Sequence, residues 1–161
     1  MRILTHRFKV KSVVEKCKLR WYIEQLFRLL KKQGFNIEGT QLESGWAIRK
    51  LVILLLNTAL RTMQLYLAYD TDESQGIEEV FEDEEIQCLK MIELKQNKET
   101  PKLLKNPFSP DKLSWASWLS GRLGGWKGSA KQRKPGPILL KRGLEKFTMI
   151  YERWKLAKNL T

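Results

Sequence analysis

Between Arg20 and Lys31 the chain carries the period of an α-helix, and that period constrains the fold more than any other stretch. At about 100° per residue, Arg20, Glu24, Arg28 and Lys31 fall within about 80° of one another, and Leu19, Ile23, Leu26 and Leu30 gather on the adjoining side. Such a helix packs its apolar stripe and presents one carboxylate among cations. On spacing alone, Arg20 and Glu24 form an ordinary i,i+4 pair on a solvated face. A carboxylate beside cations is also what metal-dependent phosphoryl transfer on DNA requires.

The rest of the chain reads as helices separated by breakers. Ser12 and Glu15 make a capping box, and Gly34 ends the first helix behind Lys31 and Lys32. Arg2 to Thr5 reads as a short strand with no partner before it. A second helix is expected to start near Leu42 to Gly45 and run to Tyr69. Its run from Leu51 to Tyr69 is the most apolar in the chain. Lys50, Asn57, Arg61, Gln64 and Ala68 share one face of it, which favours a mostly buried amphipathic helix over a membrane span.

After an acidic turn at 70–76, a third helix is expected over about Ile77 to Lys95. Pro101, Pro107 and Pro110 interrupt the chain next. Ser109 then serves as N-cap with Pro110 in the first helical position, which opens a fourth helix over about Asp111 to Leu123. A basic glycine-rich loop closes at Pro135-Gly136-Pro137, and a last helix runs over about Ile138 to Lys158. The expected fold class is mainly α.

Charge points to a polyanionic partner. The 161 residues carry a net +12, distributed in blocks. Residues 1–50 hold 12 Lys and Arg against 4 Asp and Glu, residues 51–100 hold 4 against 11, and residues 101–161 hold 14 against 3. Two basic blocks around an acidic middle suit nucleic acid at two places, ahead of an anionic membrane. Cys17 and Cys88 stand alone and His6 is the single histidine, which argues against a zinc site and a disulfide framework. A reducing cytoplasm is the expected location. The N-terminus lacks the apolar core and cleavage site of a secretory leader.

Two ordered word matches add to this. Arg20-Trp21-Tyr22-Ile23-Glu24-Gln25-Leu26-Phe27, Leu30-Lys31 and Gln41-Leu42-Glu43 resemble the C-terminal part of bacterial insertion-sequence DDE transposases. That group is marked by a Tyr-x2-Arg-x3-Glu-x6-Lys signature. Arg20, Glu24 and Lys31 occupy its last three positions, and Cys17 stands at the Tyr position. Downstream, Leu123-Gly124-Gly125-Trp126-Lys127-Gly128, Lys134-Pro135-Gly136-Pro137 and Arg142-Gly143-Leu144 are similar to the same family's tail.

The resemblance implies an RNase H-like catalytic domain, of which this chain would keep the last helix and one strand, followed by a helical dimerisation region. It implies that Glu24 is the third metal-binding carboxylate, holding Mg²⁺ together with two Asp on earlier strands. It also implies that Arg20 and Lys31 hold DNA near the scissile phosphate. Before Glu24 the chain has one acidic residue, Glu15. The expectation is therefore a C-terminal portion that is inactive by itself.

Other features keep two readings each. The glycines at 124 and 125 supply turn geometry after a helix, and the loop lacks the ending of a Walker motif. Lys127, Lys131, Arg133 and Lys134, with Arg28 upstream, are candidates for phosphate contact or members of solvated basic surfaces. Trp115, Trp118 and Leu119 share a helical face that forms either intrachain core or a dimerisation patch. Trp154 with Phe147, Ile150 and Tyr151 reads the same way, and Trp46 is expected in the core. The acidic stretch 70–85 lacks the order of a calcium loop and reads as a solvated face.

The expected organisation is a catalytic-domain remnant over 1–69, an acidic linker and helix over 70–100 and a basic pairing region over 101–161. The leading function is DNA binding within transposition, with DNA and a second subunit as partners and no membrane. The alternative is a non-enzymatic protein that pairs with a full-length transposase and inhibits it.

Overall fold

A computed structural model describes residues 2–31, 34–69, 75–99, 105–128 and 133–159. It is mainly helical: α1 spans Arg2–Leu30, α2 Gly45–Ala68, α3 Asp83–Glu99, α4 Leu113–Leu123 and α5 Pro137–Asn159. Among the described residues no strand forms. A single antiparallel bridge joins Gly76 to Lys112. The chain divides into two compact units, Met1–Leu56 and Asn57–Thr161, with the boundary inside α2.

In the first unit, the expected strand at Arg2–Thr5 is helix instead, and Ser12 lies inside α1 rather than at its start. A lone strand leaves its backbone groups unpaired, whereas a helix pairs them within the segment. At the other end, the Phe35 amide donates to the Leu29 carbonyl at 2.7 Å, and Asn36 takes a left-handed conformation at φ 53°. Gly34 is required there, because a Cβ would collide with the Leu29 carbonyl. Leu29 and Leu30 are buried. A short 3₁₀ turn, Ile37–Gly39, follows.

The second unit is built around α4. Every residue from Leu113 to Gly121 is buried, so this helix is core on all sides. Its small residues allow α5 to come close. A Cβ on Gly143 would strike the Ser120 carbonyl, and one on Gly124 would strike the Leu139 carbonyl. Gly125, at φ 98°, then turns the chain in a region that glycine enters freely. The glycines of the Leu-Gly-Gly and Arg-Gly-Leu words are thus explained by backbone contact and turn geometry.

Around α4 the core gathers Leu65 and Ala68 of α2, Cys88 and Leu89 of α3, and Leu140, Leu144, Phe147 and Tyr151 of α5. The i,i+4,i+7,i+11 spacing of the last four is what a 3.6-residue period needs to bury one stripe. A second group, Tyr69, Phe108, Trp118 and Trp126, packs ring against ring, with Trp118 and Trp126 edge to face at 4.8 Å.

The boundaries shift in three places. A 3₁₀ turn, Ile77–Glu79, precedes α3, which begins at Asp83 with three carboxylates in its first turn. Helix α4 begins at Leu113 rather than Asp111, because the amides of Ile77 and Leu113 are paired across the bridge with the carbonyls of Asp111 and Gln75. The expected linker over 70–100 contributes α3 to the second unit's core. Its apolar positions Cys88 and Leu89 are buried against the tail helices, so 75–99 and 105–159 form one unit.

Candidate nucleic-acid interface

The signature residues of α1 stand in solvent. The Arg20 guanidinium donates from Nε to Glu24 Oε1 at 3.1 Å, with the two side chains 83% and 58% exposed. The helix spacing alone places them together, and a pair so hydrated adds only a few tenths of a kcal/mol. Arg28 is exposed on the same helix. Lys31 lies just past the helix end and turns to Glu38 of the following 3₁₀ turn, at 3.5 Å. Lys16 and Lys18 add exposed cations one turn earlier.

The described surroundings of Glu24 hold a cation rather than further carboxylates. Its carboxylate is engaged by Arg20, and among the described residues no three His, Cys, Asp or Glu side chains gather where they could hold an ion. Resident Mg²⁺ needs near-octahedral oxygen donors. One carboxylate shared with a guanidinium does not fit that demand.

The basic loop after α4 separates into outward and inward cations. Lys127 and Arg133 are exposed, and their main-chain carbonyls accept bonds from Arg122 Nη1 at 3.2 Å and from the Trp126 indole at 3.0 Å. Lys134 differs from the expected phosphate contact. Its ammonium points inward, 3.3 Å from the Tyr66 carbonyl in the last turn of α2 and 3.7 Å from the Tyr66 ring. A cation at a helix C-terminus meets the negative end of the dipole, which draws the side chain in. Lys131 lies outside the described residues.

The expected pairing patch is also corrected. Trp115, Trp118 and Leu119 are 0%, 3% and 1% exposed, all within their own unit. The Trp115 indole donates to Glu93 Oε1 at 3.0 Å, so its polar edge is satisfied inside the chain. The reason is that the second unit surrounds α4 from Leu113 to Gly121, so these three side chains form no exposed patch. Trp154 is half-buried, stacked on Tyr151, and its indole meets Met91 Sδ at 3.2 Å.

The acidic middle forms one wall of an open cleft of about 450 Å³ in the second unit. Asn57, Arg61 and Gln64 line it from α2, Glu79, Glu82 and Glu85 from the 3₁₀ turn and α3, and Tyr151 and Lys155 from α5. Its cations are already used. Arg61 pairs with Glu85 and lies 4.1 Å over the Phe81 ring, while Lys155 pairs with Glu152 at 2.8 Å. Carboxylates outnumber cations in the lining, so the cleft repels a phosphate.

Shifted ionisation follows from the same packing. The hydrogen bond and charge of Lys158 hold the Glu84 carboxyl below the usual carboxylate range. Burial, then the Glu84 charge, pushes the Tyr151 phenol up. The hydrogen bond to Glu152 raises Lys155, and burial followed by the Glu85 charge raises the Cys88 thiol. Each shift reinforces the charge state the group already has near neutral pH, as structural pairs do.

Trp46, expected in the core, is 66% exposed, with Lys50 Nζ 4.9 Å over its ring and Arg49 exposed beside it. Trp46, Arg49 and Lys50 stand at i, i+3 and i+4, which puts them on one face but does not fix whether that face is covered. Among the described residues, α2 is the one helix long and apolar enough to cross a membrane by length and composition. Its second half, with Ala59, Thr62, Met63, Leu65 and Ala68, is buried in the second unit. Compared with protein-family models, with curated proteins and with solved structures, the chain finds no match.

Proposed function

We propose that this chain is a DNA-binding protein of the insertion-sequence transposase group, carrying the C-terminal side of an RNase H-like catalytic domain and the helical region after it. The observation that carries the reading is the Arg20-x3-Glu24-x6-Lys31 signature at the end of one long helix, with all three side chains in solvent. The glycine words of the tail support kinship of fold, since packing accounts for them. They speak less directly to DNA.

Binding is electrostatic in this reading. Arg20 and Arg28 of α1, Lys31 just after it, and Lys127 and Arg133 of the loop meet backbone phosphates. The carboxylates that line the cleft of the second unit repel phosphate there. In the intact enzymes of the group the reaction is DNA strand cleavage and transfer with Mg²⁺. This chain supplies one carboxylate of the signature, so it binds without cutting. Burial of Trp115, Trp118 and Leu119 takes away support from one of the two patches considered for pairing, while Ile150 in the other stays exposed, so DNA binding is the reading placed first.

The test is duplex DNA binding by the purified chain across a salt series. The expected result is a steep loss of affinity with salt, with Arg20→Ala and Arg28→Ala each lowering the logarithmic slope by about one. Affinity indifferent to salt, or no binding at low salt, overturns the reading. Mg²⁺-dependent nicking that disappears in Glu24→Ala overturns its non-catalytic part.

A further inference from the structure

We infer that Trp46, with Arg49 and Lys50, forms a stacking site for an unpaired nucleobase, so that the first unit binds single-stranded nucleic acid as well as duplex. The inference rests on the DNA-binding reading above and adds a second ligand form to it.

Tryptophan is among the more buried residues on average, yet Trp46 leaves 66% of its surface in water. Lys50 holds its ammonium 4.9 Å over the ring, and Arg49 is exposed one helical step away. The first turn of α2 carries no acidic side chain. Glu43, three residues before Trp46, is the nearest carboxylate in sequence. An open indole beside two cations is the arrangement that holds a single strand: the ring stacks on a base and the cations meet the phosphate next to it. Bases within a duplex are already stacked on their neighbours and offer no free face.

The same surface suits lipid less well. Ile53 and Leu54 are exposed further along α2, at 69% and 72%. Lys50, Asn57 and Gln64, however, fall on the Trp46 stripe at i+4, i+11 and i+18, and a membrane-facing stripe is apolar throughout.

The experiment uses the full chain with an oligothymidylate of about 16 nucleotides, a duplex of equal length and vesicles rich in phosphatidylserine. Because the chain has six Trp, the fluorescence signal of Trp46 is read as the difference between wild type and Trp46→Phe. The expected result is quenching of that difference signal by the oligothymidylate. Trp46→Ala is expected to weaken single-strand binding about five- to hundred-fold while duplex affinity stays within about two-fold. Trp46→Phe keeps part of the single-strand affinity.

Unchanged single-strand affinity in Trp46→Ala, or an equal loss on duplex, overturns the stacking site and leaves the duplex reading standing. Failure of both nucleic acids to bind overturns the two together. Quenching by vesicles without quenching by the oligothymidylate assigns the surface to lipid and overturns the inference. An unfolding transition matching wild type excludes misfolding of the variants, since the replaced side chain is exposed.

Discussion

A Cβ on Gly143 would collide with the main-chain carbonyl of Ser120, so α5 crosses α4 with backbone against backbone. The glycine in the Arg142-Gly143-Leu144 word is therefore a packing residue, and the same holds for Gly124 against Leu139.

Gly143→Ala is expected to lose about 2–3 kcal/mol of stability, because overpacking outweighs the roughly 1 kcal/mol that alanine gains in a helix. Gly45→Ala, where added atoms meet open space, should stay within about 0.5 kcal/mol or gain slightly. Denaturant unfolding of both variants checks the contrast, and equal effects would contradict the contact.

Ser117 is fully buried, and its hydroxyl has no hydrogen-bond partner among the described residues. Burying an unpaired hydroxyl costs about 1–3 kcal/mol on mutational scales. Ser117→Ala removes that cost with little change of shape. The expected outcome is a midpoint raised by about 1 kcal/mol equivalent, measured by urea unfolding with an unchanged m-value.

The Arg61–Glu85 pair is partly buried, with side chains 25% and 13% exposed. Removing one partner leaves the other charge poorly solvated. Glu85→Gln should cost about 2 kcal/mol, and a double Arg61→Met, Glu85→Leu variant should recover most of that. A double variant as unstable as the single one would show that the pair contributes net stability.

Lys134→Met tests whether this residue serves fold or DNA. Loss of a cation at the end of α2 should cost about 1 kcal/mol and leave the salt slope of DNA binding unchanged. Arg133→Ala should do the reverse, lowering the slope by about one with stability unchanged.

The Glu84–Lys158 pair sets an acid-sensitive contribution. Glu84 titrates lower in the folded protein than in the unfolded chain, because Lys158 bonds and attracts its ionised form. Its stabilising contribution is present above the unfolded carboxylate pKa and is lost as pH falls through the folded value. Lys155, raised by Glu152, contributes below the ordinary lysine pKa and loses that contribution as pH rises through its folded value. Lys158→Met should flatten the acid limb of a stability–pH profile and leave the alkaline limb in place. An unchanged acid limb would contradict the pairing.

Local chemistry was largely legible in the sequence. The period of Leu19, Ile23, Leu26 and Leu30 and the apolar run of Leu51–Tyr69 gave two of the helices. Gly34 marked the end of the first helix, whereas Pro110, expected in the first turn of α4, lies before its start at Leu113. The Arg20–Glu24 pair followed from i,i+4 spacing alone. The strand expected at Arg2–Thr5 failed because strand pairing depends on a distant partner, which a four-residue pattern does not contain.

The residues of the candidate interface divide by the same rule. The sequence by itself determined the helix period, the charge blocks and the face that Arg20, Glu24 and Arg28 share, since these depend on neighbours within a turn or two. Only the tertiary structure decided that Trp115, Trp118 and Leu119 are core, that Lys134 caps α2 from 68 residues away, and that Trp46 stands in water. Burial is a property of what packs against a side chain. Which elements come to lie over α4 and which leave Trp46 uncovered depends on long-range contacts that no local spacing encodes.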